Sequence, residues 1–289
     1  MTAGAPIRRI ATRGSALALW QANHVAAALR SADPGVEVEL VIISTEGDRR
    51  TDVPLAMIGG KGVFVKEVQA AVLDGRADIA VHSAKDLPAI TPDGLVIAAV
   101  PERADARDAL VGARLAELPA GGVVATGSPR RRAQLADLRP DLRFEELRGN
   151  IDTRLAKAAG FSAIVMAAAA LDRLDRHPDV VDLLDVDLMV PQVGQGALAV
   201  ECRSDDADTI SALALLDDAA TRRAVTAERS FLERLGGDCD LPAGAHATLG
   251  PSGVITLRGV LGDGPMSRFT STGDDPGALG VAVAEELLA

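Results

Sequence analysis

Residues 78–88 read DIAVHSAKDLP, and this stretch decides the expected fold. It begins with an apolar run at residues 79–81 and turns within one residue into polar side chains before Pro88 ends any regular structure. The pattern is typical of a buried strand that ends in a polar loop. Ligands bind beyond the carboxyl ends of strands in open α/β sheets, so Lys85 and Asp86 form a candidate site. A surface ion pair on a turn is the alternative, and this stretch alone does not choose between them.

The composition is that of a globular protein with room for more than one domain. The chain has 289 residues, 48% of them apolar, and a formal net charge of −11. This acidic balance, with only 2% aromatic residues, argues against nucleic-acid binding, which needs a basic face and stacking platforms. No apolar run has the length of a membrane span, and the start lacks the apolar core of a signal peptide. We therefore expect a cytoplasmic protein without membrane or nucleic-acid partners.

Cysteine and histidine residues give no sign of a disulfide framework or a metal site. Cys202 and Cys239 are too few to staple a chain of this length, and with four scattered His they make no zinc pattern. Cys202 ends an apolar strand and is expected to be a buried small hydrophobe. Cys239 lies in a turn-rich stretch that leaves its thiol accessible as a nucleophile or attachment point, although Asp238 and Asp240 would disfavour the thiolate.

Strand and helix patterns alternate through most of the chain, which predicts mostly parallel sheets covered by helices. One set of these units precedes a turn at residues 101–103, and a second set starts near Ala109. After residue 217 the pattern changes to a long helix, two or three alternating strands and a last amphipathic helix. The sequence therefore predicts two α/β parts followed by a small antiparallel α+β part.

A chemical repeat marks three predicted helix starts. A strand ends in Ser, Thr or Asn beside Gly, with Arg close by, at residues 12–15 (TRGS), 126–132 (TGSPRRR) and 148–154 (RGNIDTR). Ser15, Ser128 and Asn150 suit the N-cap position. The arginines are unusual there, because a cation faces the positive end of the helix dipole. An anion held by the helix N-terminus and the guanidinium groups would offset this cost.

The arginines also have an alternative explanation. Residues 130–154 contain seven arginines and five acids, a local charge of +2 in an acidic chain. These acids could satisfy the arginines on a solvated face; they are Asp137, Asp141, Glu145, Glu146 and Asp152. For any single arginine this alternative stays open. For the set of three helix starts we favour an anion site.

Two further features carry weaker signals. GGKG at residues 59–62 fails the phosphate-loop pattern, since its first Gly is missing and Gly62 replaces the Ser or Thr that would bind magnesium. The long irregular segment that ends there is a candidate lid carrying Lys61. His82 is expected to be a structural hydrogen-bonding group, with proton chemistry as the alternative.

Together these motifs closely resemble the porphobilinogen deaminase family, also called hydroxymethylbilane synthase. The match covers nearly the whole chain, in the family's order: IATRGSALALWQA (10–22), GGKGVFVKE (59–67), ADIAVHSAKDLP (77–88), TGSPRRRAQL (126–135), LRGNIDTRL (147–155), VGQGALAVECR (193–203) and the run at 228–242. The resemblance implies an α/β fold with two doubly wound domains like those of two-lobed binding proteins and a small α+β C-terminal domain. These are residues 1–99 with 198–217 (catalytic Asp side), 103–190 (Arg-rich anion-binding side) and 220–289 (cofactor-attachment Cys).

The resemblance also implies the chemistry. The family is a transferase that condenses four porphobilinogen molecules head to tail, with loss of ammonia, to give the linear tetrapyrrole hydroxymethylbilane. The growing chain is primed by one dipyrromethane cofactor, held by a thioether to the cysteine that matches Cys239. Asp86 matches the catalytic carboxylate, which stabilises the azafulvene cation left by ammonia. A monomer is expected.

Carried over residue by residue, the resemblance assigns the remaining site. The residues that correspond to cofactor-binding positions are Lys85, Thr126, Gly127, Ser128, Arg130, Arg131 and Arg154. Those that correspond to substrate-binding positions are Arg13, Ser15, Arg148, Arg154, Arg173 and Gln195. Lys61 and Phe64 fall on the family's mobile loop. Asp238 and Asp240 stand where small or uncharged residues are common in the family, and Ala243 replaces a larger apolar residue.

Two other classes of function would also account for these sequence features. The first is a two-lobed binding protein that holds a polycarboxylate without turning it over, and the arginine-bearing helix starts would serve it equally well. The second is a phosphate-binding regulator that uses GGKG and the Arg-rich helix. Loss of turnover in Asp86→Asn would favour the enzyme over the binding protein, and tight nucleotide or sulfate binding would favour the regulator.

Overall fold

The computed structural model describes residues 7–45, 65–236, 241–262 and 265–289. The chain divides into two compact units, Met1–Arg103 with Ala197–Arg222 and Ala104–Gly196 with Arg223–Ala289. The first unit contains one five-stranded sheet, and the second contains a five-stranded and a three-stranded sheet. The expected α/β fold with a small α+β C-terminal part is confirmed. The division into three domains at the stated boundaries stays a prediction.

The first unit is built around a sheet with order β2-β1-β3-β10-β4. Strands β1, β2 and β3 are parallel, and β10 pairs antiparallel with both β3 and β4. Its elements are β1 (Ile7–Arg13), α1 (Ala16–Ala32), β2 (Glu37–Ile43), α2 (Lys66–Leu73), β3 (Ile79–Ser83), a 3-10 turn (Ala84–Asp86), β4 (Leu95–Ala99), β10 (Leu198–Arg203) and α6 (Ala207–Ala214).

The alternation of side chains along β3 gives this sheet two buried faces. Ile79 and Val81 pack with α1 in one apolar cluster, whereas Ala80 packs with Val68 and Ala71 of α2 in another. Successive strand residues point to opposite faces, so β3 serves both clusters at once. The apolar run at residues 79–81 is therefore a central strand, as the sequence predicts, and its polar continuation leaves the sheet at one edge.

The second unit repeats the same strand order. Its five-stranded sheet has the order β7-β6-β8-β5-β9, in which β6 is parallel to β7 and β8, and β5 is antiparallel to β8 and β9. The elements are β5 (Asp108–Val111), β6 (Val123–Ala125), α3 (Pro129–Leu138), β7 (Arg143–Glu145), α4 (Ile151–Lys157), β8 (Ala163–Ala167), α5 (Ala168–Arg173) and β9 (Val181–Leu184). In both sheets the antiparallel strand occupies the fourth position: β10 lies between β3 and β4, and β5 lies between β8 and β9.

The C-terminal part is an antiparallel sheet covered by two helices. It comprises α7 (Ala219–Arg234), β11 (Ala243–Leu249), β12 (Ile255–Leu261), β13 (Ser267–Gly273) and α8 (Pro276–Leu288). Phe231, Ile255, Leu257 and Val283 are fully buried in its core. No helix in the described ranges is long and apolar enough to cross a membrane.

Candidate active site

The candidate site residues of the first unit lie where β1 and β3 end. These strands are neighbours and run parallel, so their carboxyl ends lie at the same edge of the sheet. A small recess of about 30 Å³ opens there, and it is lined by Arg13, Ala18, Gln21, Val65, Val68, Val81, His82, Ser83 and Asp86. Arg13 and Asp86, which are far apart in sequence, therefore line the same recess.

Local structure holds Asp86 at the mouth of this recess. The 3-10 turn closes with a hydrogen bond from the Leu87 amide to the Ala84 carbonyl (3.3 Å), and Ala84 and Leu87 are buried. Asp86 itself is exposed and Lys85 is half-buried. Gln21 of α1, which also lines the recess, donates from Nε2 to the Ser83 hydroxyl (2.8 Å). The buried neighbours fix the turn while the carboxylate stays accessible to a ligand.

The three predicted helix caps are all present. The hydroxyl of Ser15 accepts from the Ala18 amide (3.3 Å), that of Ser128 accepts from the Arg131 amide (3.4 Å), and Asn150 Oδ1 accepts from the Thr153 amide (2.8 Å). Each cap satisfies one backbone donor of the helix N-terminus.

Arg130 and Arg131 in the first turn of α3 point inward to a buried carboxylate. Arg130 and Arg131 are only 3% and 7% exposed, and Asp108 at the start of β5 is fully buried. Arg130 Nη1 lies 2.8 Å from Asp108 Oδ2, and Arg131 Nη2 lies 2.8 Å from Asp108 Oδ1. Burial alone would raise the pKa of Asp108, but the two guanidinium charges outweigh it and hold the pKa well below its usual range.

One carboxylate between two guanidinium groups leaves a net positive charge in this buried cluster. Arg131 donates from Nε to Asp108 (2.9 Å) and from Nη1 to the Val165 carbonyl (3.1 Å). Arg130 donates from Nη1 to the Val190 carbonyl (2.7 Å), but its Nε and Nη2 are buried without a hydrogen-bond partner in the part of the chain that the structure describes. Unsatisfied buried donors of a cation are expensive, and an anion would satisfy them.

Gln195 supports this cluster from the Gly-rich turn before β10. It is fully buried, and its Nε2 donates to the Ala106 carbonyl (2.8 Å) and to Asp108 Oδ1 (3.0 Å). The same turn holds Arg173 of α5, whose Nη2 donates to the Gly196 carbonyl (2.7 Å). Burial lowers the pKa of Arg173 to about 10, which leaves its guanidinium charged at neutral pH.

The remaining members of the predicted set lie at two neighbouring helix starts. Thr126 is buried and accepts from the Ser128 amide (3.2 Å), while Gly127 is exposed between them. Arg154 donates from Nε to the Gly149 carbonyl (2.8 Å). Since β6 and β7 are adjacent and parallel, the helix starts at Ser128 and Asn150 follow the same sheet edge.

The solvated-face alternative holds for some arginines and not for others. Arg148 pairs with Glu146 (3.3 Å) and Arg139 with Asp141 (2.8 Å), both on the surface. For Arg130 and Arg131 the partner is Asp108, which the sequence analysis did not consider. An isolated acid at the first position of an apolar strand, as in DALV at residues 108–111, is the signal that could have indicated it.

Several predicted site residues lie outside the residues that the structure describes, whereas Cys202 lies within them. Lys61, Phe64 and Cys239, with Asp238 and Asp240, lie outside the described residues. Cys202 is fully buried in the first sheet, where burial raises the pKa of its thiol to about 11. The expectation that Cys202 is a buried small hydrophobe is confirmed. No group of three or more potential metal ligands lies together in the described ranges.

Comparisons with known sequences indicate one family. The model of the porphobilinogen deaminase, dipyromethane cofactor binding domain, matches residues 8–211, and that of the porphobilinogen deaminase C-terminal domain matches residues 222–289. The porphobilinogen deaminase of Brevibacillus brevis is 51% identical over 289 residues, covering 97% of this chain and 94% of the relative. That of a Roseiflexus species is 50% identical over 288 residues, covering 96% and 95%.

Solved structures give a more distant likeness. A nutrient binding protein from Burkholderia cenocepacia bound to methionine is 12% identical, with a TM-score of 0.44 over 80% of this chain and 96% of that one. A likeness at this level carries no argument about the site.

Proposed function

The chain belongs to the porphobilinogen deaminase family, and on this premise we propose how its side chains divide the work of the reaction. The family model that matches residues 8–211 is a dipyrromethane cofactor-binding domain, so the protein is a transferase of tetrapyrrole biosynthesis that uses this cofactor. The named relatives support this enzyme over a binding protein without turnover. In this proposal the first unit carries the catalytic carboxylate together with Arg13 and Lys85, and the second unit carries the other cations that bind the carboxylates of cofactor and substrate.

Asp86 is the catalytic residue of this proposal. Departure of ammonia from porphobilinogen leaves a cationic azafulvene, and an anion fixed beside the pyrrole ring stabilises that charge. Asp86 is exposed at the mouth of a recess that Arg13 also lines. Arg13 binds a substrate carboxylate there, with Ser15 at the adjacent helix start. The position of Asp86 in this recess is the observation that carries the proposal.

The second unit fits a ligand that bears several carboxylates. Its buried cluster has a net positive charge, and Arg130 retains two donors without a partner among the described residues. Dipyrromethane carries acetate and propionate groups, which suit these donors. When bound, the cofactor supplies the pyrrole carbon to which the first substrate unit is joined. The residues that hold it are Lys85, Thr126, Gly127, Ser128, Arg130, Arg131 and Arg154, with Cys239 as the covalent attachment.

Substrate carboxylates are bound by the outer cations of the same edge. Arg148 and Arg154 lie at the start of α4, Arg173 is the last residue of α5, and all three residues are half-buried. Gln195 belongs to this set in a different way: it is fully buried and holds Asp108, so it acts through Arg131 rather than by reaching solvent.

Cellular context is part of the proposal. The relatives are bacterial biosynthetic enzymes, which supports a cytoplasmic location for this chain. The formal net charge of −11 supports the absence of a nucleic-acid partner. The protein acts as a monomer.

Replacing Asp86 by Asn tests the catalytic assignment. We expect product formation to fall by about 100-fold or more, because the neutral amide cannot stabilise the cation. The urea unfolding midpoint should stay unchanged, since Asp86 is exposed. Asp93→Asn, an exposed aspartate in the following loop, is the matched control and should keep full activity. An Asp86→Asn enzyme with most of its activity would show that the role is wrongly assigned.

A further inference from the structure

One buried carboxylate of the first unit has no role in the chemistry described so far. Glu201 lies inside the apolar strand β10 (LAVECR) and is fully buried. An ionised carboxylate in such a place carries a large desolvation penalty unless other groups compensate it. The neighbours of Glu201 therefore indicate what it is for.

Two side chains meet the Glu201 carboxylate. Gln69 of α2 donates from Nε2 to Glu201 Oε2 (2.8 Å), and His82 Nε2 lies 3.2 Å from the same oxygen. The strand register explains the second contact: Glu201 pairs with Ala80 and Ala199 pairs with His82, so the two side chains are diagonal neighbours on one face. Among the described residues His82 is the one group in contact with Glu201 that can carry a positive charge.

The imidazole of His82 and the carboxylate of Glu201 are close together but do not form a hydrogen bond. His82 Nε2 and Glu201 Oε1 are both buried without a hydrogen-bond partner in the described part of the chain. His82 is 5% exposed, so this is not a surface pair averaged by solvent. Buried polar atoms without a hydrogen-bond partner are rare in native structures, so each of these two calls for an explanation.

His82 also lines the recess that contains Asp86. It stands between the buried Glu201 on one side and the space shared by Arg13 and Asp86 on the other. Among the described residues, the charged groups that face it are Glu201 from β10, Arg13 from β1 and Asp86 from the 3-10 turn, while α2 contributes the neutral Gln69. One side chain links a buried anion to the place where the substrate reacts.

We propose that Glu201 is a positioning residue that holds His82 as the proton acceptor of the condensation. This rests on the proposed binding of porphobilinogen beside Asp86. In each addition the C–N bond of the substrate breaks with its electron pair on nitrogen, and a C–C bond forms at the carbon of the receiving pyrrole. The C–H bond at that carbon breaks, its electron pair returns to the ring, and its proton passes to His82. The released ammonia then takes the proton away as ammonium.

The test measures kcat/KM against pH for the holoenzyme and two variants, His82→Gln and Glu201→Gln. His82→Gln should lower kcat by about 10²- to 10⁴-fold and remove the ascending limb of the profile, because no acceptor is left to lose its proton. Glu201→Gln should lower kcat by about 10-fold and shift that limb to lower pH, since loss of the anion disfavours the imidazolium. Glu201→Asp should recover part of the loss.

Two controls separate this role from a structural one. Cys202→Ala, the next residue of the same strand on the opposite face, should leave the pH profile in place. The mass of each denatured variant should still include the covalent dipyrromethane, which shows that cofactor assembly is intact. A folded, cofactor-loaded His82→Gln enzyme with normal kcat would overturn the proposal. If His82→Gln does not fold, an unmoved limb in Glu201→Gln would overturn it equally.

Two results distinguish a failure of the proton-acceptor role of His82 from a failure of the proposed function. If Asp86→Asn is fully active, the site itself is misplaced, whatever the histidine does. If Asp86→Asn is inactive and the profiles of His82→Gln and Glu201→Gln match that of the parent enzyme, only the proton-acceptor role is wrong.

Discussion

The two five-stranded sheets share one strand order but have opposite chemistry. In each sheet a single antiparallel strand is inserted beside the third parallel strand, β10 in the first and β5 in the second. Each inserted strand carries one fully buried carboxylate, Glu201 or Asp108. The first sheet presents Asp86 to its recess, whereas the second presents arginines.

The position of the acid along its strand accounts for the difference. Asp108 is the first residue of β5 and pairs with Ala167 at the carboxyl end of β8, the edge where α3 begins. Arg130 and Arg131 in the first turn of α3 therefore reach it. Glu201 pairs with Ala80 in the middle of β3 rather than at the carboxyl end of that strand, and among the described residues His82 and Gln69 are the side chains that reach it. A shift of a few residues along one strand decides whether the acid anchors cations or a histidine.

The largest effect on stability should come from removing Asp108. Asp108→Ala leaves two buried guanidinium groups without their counter-ion, and we expect a loss of about 3–5 kcal/mol in the free energy of unfolding. Urea unfolding at pH 7 measures it. Asp187→Ala, which breaks the exposed pair with Arg258, is the control and should have little effect. Equal effects of the two variants would mean that the buried cluster does not stabilise the second sheet.

The parent protein and the Asp108→Ala variant also give a test of the pH dependence of stability. The folded-state pKa of Asp108 is depressed, so its contribution is complete above its unfolded pKa of about 3.9 and is lost as pH falls from there towards the folded value. The difference in unfolding free energy between parent and Asp108→Ala should stay constant from pH 7 to 5 and shrink below about pH 4. A difference that grew on acidification would have the wrong sign.

A smaller effect is expected at Gly196, where the segments leading to the two inserted strands meet. Gly196 has φ +85°, and a Cβ there would lie 2.5 Å from the Ala104 carbonyl oxygen. Gly196→Ala should cost about 2–3 kcal/mol in unfolding free energy, from the left-handed backbone and the clash together. Gly75→Ala is the matched control: φ is +73° but nothing lies within 4 Å, so only the backbone strain of about 1 kcal/mol remains. Thermal or urea unfolding of both variants compares them.

The smallest effects concern the equivalent caps Ser15 and Ser128. Each caps the helix that follows the second strand in the order of its sheet, β1 or β6, so Ser15→Ala and Ser128→Ala should each cost about 1 kcal/mol. Aspartate at either position should restore the cap. Ser128→Asp should nevertheless reduce the fraction of protein that carries the cofactor, measured by mass, because it places an anion at the anion site. Equal cofactor content in Ser15→Asp and Ser128→Asp would remove Ser128 from the proposed cofactor site.

Local chemistry made much of this protein predictable. Ser15, Ser128 and Asn150 were identified as caps because a cap is made by residues within one helical turn of each other. The strand at residues 79–81 followed from its apolar run, and the small C-terminal α+β part followed from its change of periodicity. The family motifs then assigned the site residues, of which Arg13 and Asp86 do share a recess.

Tertiary structure decided what depends on distant parts of the chain. Asp108 was not predicted as the partner of Arg131, because it lies 23 residues earlier and reaches that helix only through the order of the strands. Glu201 meets Gln69 across 132 residues for the same reason. The sequence by itself determined the elements, their caps and the residue types of the site, since these depend on neighbouring residues. Which buried charge faces which partner was decided by strand insertion, because only the assembled sheet brings those groups within contact distance.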